Sequence, residues 1–255
     1  MDVTDKNVIS FEKIKVACKN CSLSTLCLPM GLSPEDVDKL DAIVKRNRPL
    51  QRGDHVFRID DNFRSLYVVK TGSVKTYTQV PDGSEQVIGF HLPGEILGLD
   101  AIQSSRHGCS ARVLETSAIC ELPFNRLEEL AGNISSLQHQ MFRLLSKEIG
   151  LETEMLALLG KSTAEERLAS FLLSLSNRFK RRGFSPTDFF LSMSRQEIGS
   201  YLGLALETVS RLFTRFQDEG ILKVERKHVQ IIDLEALRGL VTHQASREDR
   251  VQTPS

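Results

Sequence analysis

Three of the five cysteines in this 255-residue chain, Cys18, Cys21 and Cys27, fall in the stretch ACKNCSLSTLCLPM with the spacing C-x2-C-x5-C. Thiols this close have three uses: a disulfide, a zinc site or an iron–sulfur cluster. The N-terminus MDVTDKNVIS has neither a basic segment nor an apolar run, so a signal peptide is not expected. No apolar stretch approaches the roughly 20 residues that span a bilayer, and no membrane association is expected. The cytoplasm is the expected compartment, where thiols stay reduced and clustered cysteines bind metal. Zinc and an iron–sulfur cluster both accept four thiolates. A fourth would come from Cys109 or Cys120, and spacing does not separate them.

A second constellation lies in SRQEIGSYLGLALETVSRLFTRFQDEG. Ser194 followed by Glu197 is a capping box and starts a helix. Ile198, Tyr201 and Leu202 supply its inner face, and Gly203 stands where a tight turn needs a positive φ. The next helix starts at Ala205, carries Val209, Leu212, Phe213 and Phe216 at core spacing, and ends at Glu219 before Gly220. Two short helices joined by a glycine turn are the helix-turn-helix plan. Glu207, Ser210 and Arg211 share one face near the start of the second helix, the end that enters the major groove. Arginine bonds guanine O6 and N7, glutamate accepts from cytosine N4, and serine serves a base or a phosphate. The alternative is an ordinary helical hairpin whose Glu207 and Arg211 form only an i,i+4 ion pair. LKVERKHVQII follows as a hairpin wing with basic residues at its tip. Net charge is zero, yet residues 161–230 carry twelve Lys/Arg against eight Asp/Glu, while residues 1–160 carry eighteen against twenty-one. An enzyme is not expected: there is no glycine-rich phosphate loop, and the six histidines form no metal set or hydrolytic triad.

Other elements must hold these groups. From Leu50 to Pro123, short β-rich runs alternate with turns at Thr71-Gly72-Ser73, Pro81-Asp82-Gly83 and Pro93-Gly94, and SARVLETSAICELP reads as one long closing stretch. Many short strands with such turns argue for a sandwich or jelly-roll barrel. SSLQHQMFRLLSKEIGLETEMLALLG then changes period. One heptad seam holds Leu137, Met141, Leu144, Leu151, Met155 and Leu158, broken by Glu148. A second, one residue on, holds Phe142, Leu145, Ile149, Leu156 and Leu159, broken by Glu152. Two stripes imply one long helix that packs on its own barrel and on a partner helix, the alternative being a single helix wholly buried in its own domain. Another amphipathic helix ends at Lys180-Arg181-Arg182-Gly183, as helix C-termini prefer.

A barrel, a long pairing helix and a winged helix-turn-helix, in that order, resemble the catabolite-activator/FNR superfamily of bacterial transcription regulators over residues 15–240. The expected fold is α+β, in five parts: a cluster-binding segment (1–30), a jelly-roll sensor barrel (31–135), a dimerisation helix (136–160), a winged helix-turn-helix domain (161–241) and a disordered tail (242–255). E-T-V-S-R at 207–211 looks like the recognition motif of the FNR branch, which reads TTGAT-type half-sites of double-stranded DNA as a homodimer. In cAMP-binding members the Pro-Gly-Glu turn is followed by an Arg-Ser pair that neutralises the cyclic phosphate. Here those positions are Gly108-Cys109, with Arg106 displaced by two residues, so no cyclic nucleotide is expected.

The FNR branch has the same cysteine spacing in its N-terminal extension and binds an oxygen-sensitive 4Fe–4S cluster. Its fourth ligand lies in an ETS-xx-C-E-x-P-F context, which ETSAICELPF matches at Cys120, leaving Cys109 without an assigned role. The resemblance therefore implies Cys18, Cys21, Cys27 and Cys120 as ligands and an activator of anaerobic genes that pairs only with its cluster intact. Ile149 and Glu152 are the expected dimer switch: in a parallel pair Glu152 faces its own copy in an apolar seam, where two carboxylates repel and lose hydration. RNA polymerase is an expected partner, through the hairpin around Pro81-Asp82-Gly83. A cyclic-nucleotide regulator of the same superfamily and a zinc-stabilised DNA-binding protein are the alternatives.

Overall fold

The computed structural model describes residues 17–80 and 83–248, with side chains to Val241. The tip residues Pro81 and Asp82, expected to face RNA polymerase, the first sixteen residues of the expected cluster-binding segment, and residues 249–255 lie outside them. A 3-10 turn over Cys18–Asn20 and a loop lead into α1 (Pro34–Ile43), which starts where the Ser33 hydroxyl accepts from the Asp36 amide. Eight strands follow: β1 (Lys45–Arg46), β2 (His55–Phe57), β3 (Ser65–Thr71), β4 (Val74–Gln79), β5 (Glu85–His91), β6 (Ile96–Leu97), β7 (Ser110–Val113) and β8 (Ala118–Pro123). They form two antiparallel four-stranded sheets, ordered β1-β8-β3-β6 and β2-β7-β4-β5, the expected jelly roll. SARVLETSAICELP is two strands rather than one, and its halves belong to different sheets. The buried Ser117 makes the corner: its hydroxyl donates to the Glu115 carbonyl at 2.8 Å and accepts from the Ser73 amide at 3.2 Å.

After α2 (Phe124–Asn133), α3 runs from Ser135 to Lys161. Leu137 is buried among Leu28, Leu66, Leu122 and Leu127, with Met141 and Leu144 packed beside it. Farther along, Met155 packs on the C-terminal core. Phe142, Ile149 and Leu156, seven residues apart, remain 62%, 64% and 73% exposed, and Glu152 stands exposed between the last two. The first stripe is thus covered at both ends with Leu151 left exposed, and Phe142, Ile149 and Leu156 of the second are left uncovered.

Thr163 and Glu166 form a capping box that starts α4 (Ala164–Arg181). Then come β9 (Asp188–Phe190), α5 (Arg195–Leu202), α6 (Leu206–Asp218), β10 (Leu222–Glu225), β11 (His228–Ile231) and α7 (Leu234–Glu248). The wing is a three-stranded sheet, β10-β11-β9, rather than a bare hairpin. Helix α7 continues past residue 242, where a disordered tail is expected. Leu168, Leu172, Ile198, Leu202, Val209, Phe213 and Phe216 form the C-terminal core, which is continuous with Val87, Phe90 and Leu92 of the barrel. Across that junction the Ser200 hydroxyl donates to the Glu85 carbonyl and accepts from the Val87 amide, and buried Lys75 pairs with Glu197 at 2.9 Å. Helix α5 is therefore docked on the β4–β5 hairpin.

Candidate functional site

Cys18, Cys21 and Cys27 leave the N-terminal loop toward one small cavity of about 40 Å³, and Cys120 enters it from the central region of its sheet. Leu28, Leu40, Val44, Val68 and Leu122 make the rest of its wall largely apolar. Cys120 sits on β8 opposite Arg46 of β1 and Val68 of β3, so sheet register sets its position. Cys109 is elsewhere. It is buried in the interior between the sheets with Phe57 and Val69, its thiol turned to Asp100 at 3.6 Å. The fold thus places Cys120, and not Cys109, beside the cavity that the three N-terminal cysteines line.

Burial favours the neutral form of three of these thiols, Cys18, Cys27 and Cys120. Burial pushes Cys27 up to about 12. Burial, followed by the hydrogen bond and negative charge of Asp41, pushes Cys18 up to about 12. Burial also raises Cys120, against the opposing charges of Arg46 and Lys70. A bound metal centre would have to displace these protons. Arg46 ion-pairs with Asp41 and stands 3.6 Å from the Cys18 sulfur, and Lys70 lines the same cavity. Among the described residues no three His, Cys, Asp or Glu side chains are grouped to hold a single metal ion. Four cysteines around one cavity, with Lys70 on its wall and Arg46 beside Cys18 to offset thiolate charge, would suit a four-thiolate iron–sulfur cluster. Asp41, Arg46 and Lys70 are not legible as site residues from the sequence, because only strand pairing and helix packing bring them to the sulfurs.

The cysteine loop touches two other parts of the chain. Buried Gln140 of α3 donates to the Cys27 carbonyl at 3.5 Å, next to Leu137 in the core shared with Leu28. On the other side, Gly94 lies so close to Leu26 that a Cβ there would stand 3.2 Å from the Leu26 Cβ. The following residue, Glu95, is gripped by Arg178 at 2.5 Å and Arg182 at 2.6 Å, both from the α4 end. Burial pushes the Glu95 carboxyl up, but the two guanidinium groups outweigh it and hold it at about 2. Arg106 is exposed and donates to the Asp60 carbonyl at 2.7 Å.

In the C-terminal domain, Gly203 has φ +63° and turns the chain between α5 and α6. Glu207, Ser210 and Arg211 are all exposed on the first turns of α6, while Val209, Phe213 and Phe216 are buried behind them. Among the described residues Glu207 and Arg211 form no ion pair with each other, which leaves both side chains open to a ligand. Arg215, one turn on, is tied to Glu165 and Glu219. At the wing tip Lys227 donates to the Ser192 carbonyl at 2.8 Å, and Arg226 adopts φ +59°.

The chain matches a Crp-like helix-turn-helix domain over residues 166–240 and a cyclic nucleotide-binding domain over residues 47–133. It is 52% identical to the transcriptional activator protein Anr of Pseudomonas protegens, over 85% of this chain and 88% of that one. It is 46% identical to the fumarate and nitrate reduction regulatory protein of Escherichia coli, over 89% and 91%. The solved structure of FixK2 from Bradyrhizobium japonicum superposes with a TM-score of 0.72 at 29% identity, over 78% of this chain and 97% of that one. Among the described residues no helix is long and apolar enough to cross a membrane. Identity to these relatives over most of both chains, together with the matched helix-turn-helix and jelly-roll domains, places the chain in the Crp/FNR family, on its FNR-type branch, as a DNA-binding transcription regulator and not an enzyme.

Proposed function

We propose that this regulator responds to oxygen through a 4Fe–4S cluster held by Cys18, Cys21, Cys27 and Cys120, and that the loaded chain pairs and binds TTGAT-type palindromes to control anaerobic genes. The single observation that carries the reading is the convergence of those four cysteines on one cavity whose loop packs on the start of α3. When bound, such a cluster supplies iron–sulfide bonds that oxygen breaks. The residues do the rest. Cys27 and Leu28 tie the loop to Gln140 and Leu137, so an ordered loop holds the first turns of α3. Phe142, Ile149 and Leu156 offer an apolar row to a second copy, and Glu152 opposes pairing until the ordered loop tips the balance. Glu207, Ser210 and Arg211 of each protomer then read one half-site. RNA polymerase contact through the hairpin at Gly83 belongs to the same reading.

Two alternatives are separated by simple observations. Cyclic nucleotide is disfavoured because Glu95 is engaged by Arg178 and Arg182 and Arg106 is turned to Asp60. Titration calorimetry with cAMP should register no binding heat. Zinc is separated by iron and acid-labile sulfide assays on oxygen-free preparations, together with the visible absorption of the cluster and its bleaching in air. A colourless, zinc-loaded preparation would refute the proposal.

A further inference from the structure

The reading head is joined to the dimerisation helix by a very short connection. Helix α3 ends at Lys161, α4 begins at Ala164, and only Ser162 and Thr163 lie between them. Rotation about those two residues would swing both recognition helices of a pair. Thr163 is fixed toward α4 by its capping box with Glu166. Toward α3, the tie is Arg167. Its Nη2 donates to the Leu159 carbonyl at 2.8 Å, its Nε to the Ser162 carbonyl at 3.0 Å, and its Nη1 to the Leu202 carbonyl at 3.1 Å. Leu159 and Ser162 close α3, and Leu202 closes α5. Two helix C-termini, each with unpaired carbonyls and the negative end of its dipole, thus meet on one guanidinium. The Gly203 turn rests on the same spot: a Cβ there would lie 3.5 Å from Arg167 Nη1 and 3.9 Å from Leu159 Cδ2. Leu159 is also the last residue of the second heptad seam, of which Phe142, Ile149 and Leu156 stay exposed.

From this juxtaposition we infer that Arg167 is a positioning residue for DNA recognition, locking the helix-turn-helix to the end of the dimerisation helix and so setting the half-site spacing a dimer accepts. Paired half-sites lie about one helical turn apart, roughly 34–36 Å between centres. Inserting or deleting one base pair shifts one half-site along and around the duplex axis together. A head bolted to α3 cannot follow that shift; a head on a free two-residue hinge can. Loosening the hinge also lowers the effective concentration of the second head once the first has bound. Lysine at this position keeps the charge, but one ammonium cannot span three carbonyls in fixed directions.

The inference rests on the paired reading of DNA proposed above, and the test separates the two. Full-length protein, prepared without oxygen, is titrated against palindromic duplexes with the natural spacing and with one base pair added or removed between half-sites. Wild type should bind the natural duplex best. Arg167→Lys should bind it about tenfold more weakly, the loss of roughly one charge-assisted hydrogen bond. Its affinities for the three duplexes should converge. Equal weakening on all three with the preference intact would overturn the spacing role, as would unchanged affinity and preference. Arg167→Gln, whose amide can cap one helix end but not bridge two, carries the same expectation should the lysine variant fail to fold. A wild-type protein indifferent to spacing would take down the paired reading and this inference together. A spacing-sensitive wild type matched by Arg167→Lys would overturn the inference alone.

Discussion

Replacing Glu152 by alanine is expected to produce a dimer in air, and the structure sets the size of the effect. Phe142, Ile149 and Leu156 keep 62%, 64% and 73% of their surface exposed. Complete burial of such a side chain contributes roughly 1.5–3 kcal/mol, so covering what remains open contributes about 1–2 kcal/mol each and about 6–12 kcal/mol over the six side chains of a pair. Association costs about 4–15 kcal/mol in lost freedom, which leaves the pair close to balance. A carboxylate in the same row then decides the outcome. Full burial of an ion costs several kcal/mol, and at a partly open seam roughly 1–2 kcal/mol per Glu152 is reasonable. Removing both carboxylates should therefore tighten the apparent Kd by about 30- to 1000-fold. Sedimentation velocity of the metal-free protein in air, over a concentration series, reads this directly. Glu152→Lys, which restores like-charge repulsion, should stay monomeric. An Glu152→Ala protein whose Kd lies within threefold of wild type would refute the reasoning, because Glu152 would then point to solvent in the pair.

Arg211→Lys should lower affinity for the cognate site by about 1–3 kcal/mol and relax the preference at one base pair, leaving the salt dependence of binding unchanged; competition with single-base variants of the site checks both. Glu95 gives a pH signature. Its carboxyl ionises at about 2 when docked against Arg178 and Arg182, below its ordinary 4.5, so its contribution is complete above 4.5 and is lost as pH falls toward 2. Glu95→Gln should therefore cost up to about 3 kcal/mol at pH 7, and its urea midpoint should approach that of wild type on acidification. A gap independent of pH would show that Glu95 contributes through shape rather than charge.

Periodicity and local signals carried much of the architecture. The capping box at Ser194/Glu197 is local in sequence, and so the start of α5 is readable without a fold. The doubled heptad pattern of α3 likewise foretells one buried and one open stripe, although Leu151, from the inner seam, is itself exposed. What could not be read is non-local. The partition of SARVLETSAICELP between two sheets depends on a corner closed by Ser73 and Ser117, 44 residues apart in the chain. The separation of Cys120 from Cys109 depends on strand register opposite Arg46. The capture of Glu95 by α4, the docking of α5 on the β4–β5 hairpin and the bridging by Arg167 join residues with no shared period. Strand β9 pairs with β11 across 40 residues and is too short to announce itself.

The most direct measurement is the iron and acid-labile sulfide content of the protein purified without oxygen, read beside its visible spectrum, for wild type, Cys120→Ser and Cys109→Ser. Wild type and Cys109→Ser should be coloured, should carry about four irons and four sulfides per chain as a four-thiolate cubane requires, and should bleach in air. Cys120→Ser should be colourless and should fail to bind the palindrome. Colour and iron that persist in Cys120→Ser and vanish in Cys109→Ser would contradict the site, and an iron-free wild type that still binds DNA as a dimer would contradict the mechanism.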